Sequence, residues 1–215
     1  MLTHSRLALL VIDMQQGLFA SEQSRYRSAS VVANINLLID ACHQQSTPVV
    51  FIQHDGPVDD VLEPHTPSWQ LLPQLHREPT DHLIRKTACD AFYRTGLQPL
   101  LYSLGVGRLI ITGCATDFCV DTTLRAAASL DYQLIAVEDA HTTANRPHLE
   151  AARIIEHHNF MWQNLLIPDP VLHCSTVLKA LSHLRTLFFP YIIRLFFAQT
   201  DTVDFMLWTR VLRGY

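Results

Sequence analysis

Six consecutive apolar residues, Leu7-Ala8-Leu9-Leu10-Val11-Ile12, run directly into Asp13. A strand with one wet face alternates apolar and polar side chains, and this one does not. Both of its faces must be covered, which is the situation of a strand inside a parallel sheet with helices on either side. The same texture returns at Val49-Val50-Phe51-Ile52, at Arg108-Leu109-Ile110-Ile111-Thr112 and at Gln133–Val137, and more weakly at His82-Leu83-Ile84-Arg85. Between these runs the period changes. Val31, Val32, Ile35, Leu38, Ile39 and Cys42 recur at helical spacing,. Leu97–Leu104 reads as a helix closed by Gly105 and Gly107, Cys119–Leu130 gathers Leu124, Ala127 and Ala128 on one face, and Leu149–His158 follows,. Strands alternating with helices predict an α/β fold with a mostly parallel sheet. Ligands of such sheets bind beyond the carboxyl ends of the strands, so the informative residues are those after Ile12, Ile52, Arg85, Thr112 and Val137.

Composition narrows the function classes. The 215 residues are 48% hydrophobic and 17% charged, which gives one folded domain a real core to bury,. The net charge of -4 comes with no basic stripe, so no nucleic-acid partner is expected,. The five cysteines are an odd number without paired C-x2-C spacing, which predicts reduced thiols rather than a disulfide scaffold or structural zinc site,. The first apolar run is too short for a signal-peptide core, and a cytoplasmic protein is expected. The texture changes near residue 170. A domain over 1–170 is expected to be followed by an apolar, helical extension over 171–215. Its oiliest stretch, Leu187–Phe197, is broken by Pro190 and Arg194 and is shorter than the roughly 20 residues a bilayer requires,. No membrane partner is expected; packing on the body or on a second copy is, which predicts a homo-oligomer.

Three residues at strand ends carry reactive groups. Asp13 alone reads as a turn or helix cap, or as a general base. Lys86 alone reads as a solvated loop charge, although Lys86 and Lys179 are the only lysines in a chain whose other cations are arginines,. Cys119 follows the turn Gly113-Cys114-Ala115-Thr116-Asp117-Phe118 and opens the next helix. There the free N–H groups and the dipole favour a thiolate, while the same turn can offer N–H groups to an oxyanion. Cys119 also has a plain structural reading, and Cys114, within the apolar run, reads as structural. Together, Asp13, Lys86 and Cys119 supply a base, a cation and a nucleophile at one edge of one sheet, which suffices for acyl transfer through a thioester.

The same stretches resemble the isochorismatase-like cysteine hydrolases, the group that includes nicotinamidases and streptothricin-hydrolase-like proteins. The resemblance is carried by Leu10-Val11-Ile12-Asp13-Met14-Gln15, Gln53-His54-Asp55, Arg85-Lys86-Thr87 with Asp90-Ala91-Phe92, Gly113 to Thr123, and Asp139-Ala140-His141-Thr142-Thr143. It implies a three-layer αβα sandwich, a catalytic triad of Asp13, Lys86 and Cys119, a cis peptide between Cys114 and Ala115, and an oxyanion hole of the Ala115 and Cys119 N–H groups. Two departures bear on the substrate. Metal-binding nicotinamidases have an Asp-x-His pair after the second strand, where this chain has Gln53-His54-Asp55-Gly56, so no metal and no other cofactor is expected; His65 and His76 downstream read as solvated. Isochorismatases lack the nucleophilic Cys that is present here. The expected activity is therefore metal-independent cleavage of a small-molecule carboxamide or related C–N bond. A silent or redox-sensing binding module of the same fold is the alternative. Phe19, His54, Trp69, Phe92 and Phe118 are expected to wall the substrate pocket.

Overall fold

The computed structural model describes residues 6–20, 25–166 and 172–186. The chain divides into two compact units between Leu181 and Ser182. The first holds the whole sheet and every candidate site residue. The second is described only as the last turn of a helix, and Leu187–Phe197 lies outside the described residues.

Six parallel strands form one sheet. In chain order they are β1 (Arg6–Ile12), β2 (Val49–His54), β3 (His82–Lys86), β4 (Val106–Cys114), β5 (Gln133–Thr142) and β6 (Leu172–Ser175). In space the order is β3-β2-β1-β4-β5-β6. The helices are α1 (Gln16–Phe19), α2 (Ser28–Gln44), α3 (Leu97–Ser103), α4 (Asp121–Ser129), α5 (Ala151–Gln163) and α6 (Val177–Thr186).

The unalternating strand runs are explained by helices on both faces. Ala8, Leu10 and Ile12 of β1 share a core with Val50, Ile52, Leu109, Ile111, Leu134 and Ala136, closed by Leu97 and Leu101 of α3, Leu124 and Ala127 of α4, and Trp162 of α5. The intervening β1 residues Leu7, Leu9 and Val11 are equally buried on the other face, where α2 packs across β1, β2, β4 and β5 through Val31, Ile35, Leu38, Ile39 and Cys42. This is the three-layer αβα arrangement.

Several boundaries differ from expectation. β5 continues to Thr142 rather than stopping at Val137, with a register shift against β4 between Ile111 and Gly113. The helix expected over Cys119–Leu130 is two elements, a π-helical turn at Thr116–Val120 and then α4. The segment from 171, expected to be helical throughout, begins with strand β6, which pairs Leu134–Val137 of β5 with Leu172–Ser175 and so ends the sheet. A four-residue strand with the sequence Leu-His-Cys-Ser lacks the apolar run that marks the inner strands,. α6 follows, with the Val177 N–H donating to Asp139 Oδ1 at 2.8 Å.

Candidate active site

The strand order reverses between β1 and β4: β2 and β3 extend to one side, β4, β5 and β6 to the other. The loops leaving these two strands therefore diverge, and a crevice opens above their carboxyl ends. Asp13 is the residue after β1, with its backbone turned into the left-handed region (φ 48°) that Asp tolerates better than most side chains,. Its N–H donates to Ile52 C=O at 2.9 Å, and the Gln15 N–H returns to the Asp13 carbonyl at 2.9 Å. Cys119 arrives from β4 through the π-helical turn. Lys86 is the last residue of β3, paired in register with His54 of β2. β3 is two strands from β1, about 10 Å at the usual strand spacing. The four-carbon stem of Lys86 bridges that span with no side-chain surface exposed.

The three groups meet. Lys86 Nζ lies 2.7 Å from Asp13 Oδ2 and 3.3 Å from Cys119 Sγ, and also 3.1 Å from His54 Nδ1 and 3.0 Å from the Ala88 carbonyl. Asp13 Oδ1 is buried and makes no hydrogen bond among the described residues. A carboxylate oxygen of Asp13, a ring nitrogen of His54 and Cys119 Sγ all lie within 4.8 Å of one another. Those three ligand types could hold a metal ion, but Lys86 Nζ already stands among them at hydrogen-bond distance from each. A second cation there would face an ammonium, so the residues do not fit a metal ion while Lys86 is charged. Of the downstream histidines, His65 stacks on Trp69 at 5.4 Å and His76 Nδ1 pairs with Asp40 on the surface at 2.8 Å.

Burial sets the electrostatics. Asp13 is pushed above the usual carboxylate range by burial, with Lys86 opposing. Burial also works against the Lys86 ammonium, but Asp13 and Cys119 outweigh it and hold the lysine charged. The Cys119 thiol is pushed up, first by burial and then by the negative charge of Asp13, with Lys86 pulling the other way. This corrects the expectation of a thiolate favoured by a helix N-terminus. Cys119 is the fourth residue of a π-helical turn, beside a carboxylate, and the ground-state proton stays on sulfur. Cys114 is fully buried and its thiol is pushed up to about 12, as a structural cysteine should be.

The turn around Cys119 is tied down from several sides. The Cys114–Ala115 peptide is cis. The Ala115 carbonyl accepts from the N–H groups of Phe118 and Val120, each at 3.1 Å. The Thr116 hydroxyl meets His141 Nδ1 at 2.8 Å, and His141 Nε2 meets Asn159 Oδ1 at 2.9 Å. Asn159 uses its amide N–H on the Glu138 carbonyl at 3.3 Å, so its oxygen is the acceptor, the His141 proton is on Nε2, and Thr116 donates to Nδ1,. Asp117 is held by Arg146 at 2.8 and 3.0 Å and by the Thr143 hydroxyl at 2.6 Å. Burial opposes the Asp117 charge, but these hydrogen bonds win and keep its carboxyl below the usual range.

Asp13 and Cys119 open onto a cleft of about 310 Å³ whose other walls are Leu18, Arg25, His54, Asp60, Val61, Leu62, Cys89, Cys114, Ala115, Phe118 and Arg146. Of the five residues expected to form the pocket, His54 and Phe118 line it and three do not. Phe92 packs into the core beside Tyr132, with ring centroids 5.7 Å apart. Trp69 is buried with its indole N–H on Asp55 Oδ1 at 2.9 Å and Arg85 over its ring. Phe19, at the end of the short α1, is half-buried away from the lining. Trp69 itself belongs to loop 55–81, which is tied to the ends of β1 and β2. Gln15 and Gln53 pin that loop by donating to the Trp69 carbonyl at 2.9 and 2.8 Å. The cleft residues missed from sequence, above all Arg25, Asp60 and Arg146, come from loops with no periodic signal.

A family model described as an isochorismatase domain matches residues 7–161. A streptothricin hydrolase of Streptomyces noursei is 34% identical over 140 residues, covering 65% of this chain and 51% of its own length. Nicotinamidase 3 of Arabidopsis thaliana is 31% identical, covering 67% of this chain and 77% of its own. The chain thus spans about half the length of the streptothricin hydrolases it matches, 51% of one and 56% of another. A crystal structure of an isochorismatase family protein, 37% identical, superposes with a TM-score of 0.73 over 81% of this chain and 100% of that one.

Proposed function

This chain belongs to the isochorismatase family, and from that membership we propose that it is a cysteine hydrolase that cleaves the C–N bond of small carboxamides without a metal. The observation that carries the reading is Lys86 Nζ set between Asp13 Oδ2, at 2.7 Å, and Cys119 Sγ, at 3.3 Å, at the base of a cleft. The names of the relatives, a streptothricin hydrolase, a nicotinamidase and a ureidoacrylate amidohydrolase, support the amide as the bond attacked.

The proton inventory follows from the electrostatics. At rest Cys119 is a thiol, Asp13 a carboxylate and Lys86 an ammonium. As Sγ attacks the carbonyl carbon, its proton passes to Asp13, which burial makes a stronger base than an exposed carboxylate,. The carbonyl oxygen becomes an oxyanion held by the N–H groups of Ala115 and Cys119. Collapse of the tetrahedral intermediate breaks the C–N bond, and the departing nitrogen takes the proton back from Asp13. Water then attacks the thioester with Asp13 as base. The acid leaves, and Cys119 recovers its proton. Lys86 stays charged throughout and keeps the carboxylate and the developing thiolate from repelling each other.

The test is a screen of small amides for ammonia or amine release, followed by intact-mass trapping of an acyl-enzyme on the best substrate. Cys119→Ala is expected to lose at least about 10³-fold in kcat/KM and to trap no adduct. Wild-type turnover by that variant would sink the reading.

A further inference from the structure

We propose that His54 and Asp13 together hold the water that opens the acyl-enzyme, His54 donating its Nε2–H to the water oxygen and Asp13 Oδ1 accepting from one of the water O–H groups. The inference rests on the amide-hydrolase reading above and gives a part in the second half of that reaction to a residue the first half does not use. It begins with Lys86. Nζ carries three protons and faces four acceptors, so His54 is not needed to satisfy it in the resting enzyme,. What the contact does is fix the imidazole. An ammonium only donates, so His54 Nδ1, at 3.1 Å, accepts, and the ring proton is on Nε2,. Among the described residues nothing accepts from Nε2. His54 is half-buried and lines the cleft, whereas the Lys86 side chain it rests on has no exposed surface. The ring edge turned to the cleft is therefore the one away from Nδ1, and that edge carries Nε2–H.

Acylation tightens this arrangement. Once Sγ is bonded to the acyl carbon it is a poor acceptor, and the three protons of Nζ fall to Asp13 Oδ2, the Ala88 carbonyl and His54 Nδ1, one each. Asp13 has by then given its proton to the departing nitrogen and is a carboxylate again, with Oδ1 buried and unbonded among the described residues. A carboxylate oxygen of Asp13 and a ring nitrogen of His54 lie within 4.8 Å of each other and of Cys119 Sγ. One water bridges a donor and an acceptor up to about 5.6 Å apart, the sum of two hydrogen bonds. A single water thus reaches both side chains beside the sulfur that carries the acyl group. With one lone pair held by His54, its other is left for the carbonyl carbon. As the C–O bond forms, one water proton passes to Asp13 Oδ1. Collapse breaks the C–S bond, the electron pair stays on Sγ, and the proton moves from Asp13 to the sulfur. His54 keeps its own proton throughout and acts by positioning the nucleophile.

The experiment acetylates Cys119 with p-nitrophenyl acetate, removes the reagent and follows loss of the acetyl group by intact mass. Asparagine and glutamine divide the imidazole between them: the Asn side-chain oxygen takes the place of Nδ1, the Gln side-chain nitrogen that of Nε2. His54→Asn therefore keeps an acceptor for Lys86 and loses the donor to water. Its acetyl-enzyme is expected to hydrolyse at least about tenfold more slowly than the wild type, the worth of one good hydrogen bond, while its acetylation stays within about threefold. His54→Gln keeps a donor and should lose its acetyl group within about threefold of the wild-type rate. Hydroxylamine, a nucleophile strong enough to act without a positioned base, should strip the acetyl group equally fast from the wild type and His54→Asn. Deacetylation of His54→Asn at the wild-type rate, a His54→Gln as slow as His54→Asn, or acetylation and deacetylation slowed alike would overturn the inference and leave the hydrolase standing. A wild type that takes no acetyl group on Cys119, or a Cys119→Ala that is acetylated as readily, would sink the hydrolase reading and the inference with it.

Discussion

Lys86 has more acceptors than protons. Its ammonium carries three N–H groups, while Asp13 Oδ2, His54 Nδ1, the Ala88 carbonyl and Cys119 Sγ all stand within 3.3 Å of Nζ,. An ammonium only donates, so His54 Nδ1 must accept, and its ring is neutral with the proton on Nε2; burial and Lys86 together push its pKa below 6.5 and agree with that. Sulfur is the longest and weakest of the four acceptors, so it can leave toward a carbonyl carbon without stranding a buried N–H. Lys86→Met should leave the buried Asp13 without its cation, raising the carboxyl further until it is protonated and useless as a base. Lys86→Arg keeps the charge but forces a planar fork into a space that fits a tetrahedral ammonium. Both are expected to lose at least about 10³-fold in kcat/KM, measured on the best amide with circular dichroism confirming the fold. His141 supplies a pH prediction at the same scale. It is fully buried and neutral, with a pKa lowered from 6.5 to about 4 by burial, and with His158 nearby adding to the effect. Below pH 6.5 the unfolded chain takes up a proton that the native chain refuses. The stability contribution is therefore whole above pH 6.5 and drains away as the pH falls to about 4, by at most about 3 kcal/mol. Urea titrations across that window should show the slope in the wild type and a shallower one in His141→Gln.

β4 and the turn that leaves it are the element on which the site depends. Gly113 sits at φ +123°, and a Cβ built there would lie 2.1 Å from the Ile12 carbonyl oxygen. β4 must run that close to β1 for Asp13 and the Cys119 turn to share a cleft, and only glycine permits it. Gly113→Ala is expected to cost at least about 4 kcal/mol or to prevent folding. Gly96→Ala, where a Cβ meets only Ile84 Cδ1 at 3.9 Å and no positive φ is required, should change stability by less than about 1 kcal/mol,. Chemical denaturation of the pair separates backbone crowding from a general intolerance of alanine. This element also shows how far the sequence could be read. The run Arg108–Thr112 and the small residues after it identify a strand and a tight turn, because apolar residues on both faces of a strand have few other uses. That Cys119 follows in a π-helical turn is not visible locally. The turn is held by the Thr116 bond to His141 of β5 and by the Asp117 pair with Arg146, partners 25 to 29 residues away. The thiol pKa inherited the error: a helix N-terminus would lower it, whereas burial beside Asp13 raises it.

At the scale of the molecule, three strand ends converge because the strand order reverses between β1 and β4, and the alternation of apolar runs with helical spacing was enough to foresee the layers and the edge where chemistry sits,. The far edge was not foreseen. β6 carries one of the shortest runs in the sheet and follows a change of texture at residue 170, so composition alone assigned it to an extension. In the structure its backbone covers the edge of β5, pairing Leu134 with Leu172 through Val137 with Ser175. Immediately after it, Val177 and Ala180 of α6 are buried and the Val177 N–H is bound to Asp139, at the start of the segment that contains His141. Removing residues from 171 onward would strip β5 of its neighbour and leave a four-residue row of parallel-strand donors and acceptors open to water or to another chain. A chain ending after residue 170 is therefore expected to be insoluble or to melt at least about 10 °C below the full chain, since loss of a paired strand together with the buried Val177, Ala180 and Leu184 amounts to several kcal/mol in a domain of this size,. A chain ending after Thr186 keeps β6 and α6 and should retain the cooperative transition of the sheet. Thermal melts of the two truncations beside the full chain test this directly. If the shorter one melted like the longer, β6 would be an accessory to the sheet rather than its closing strand.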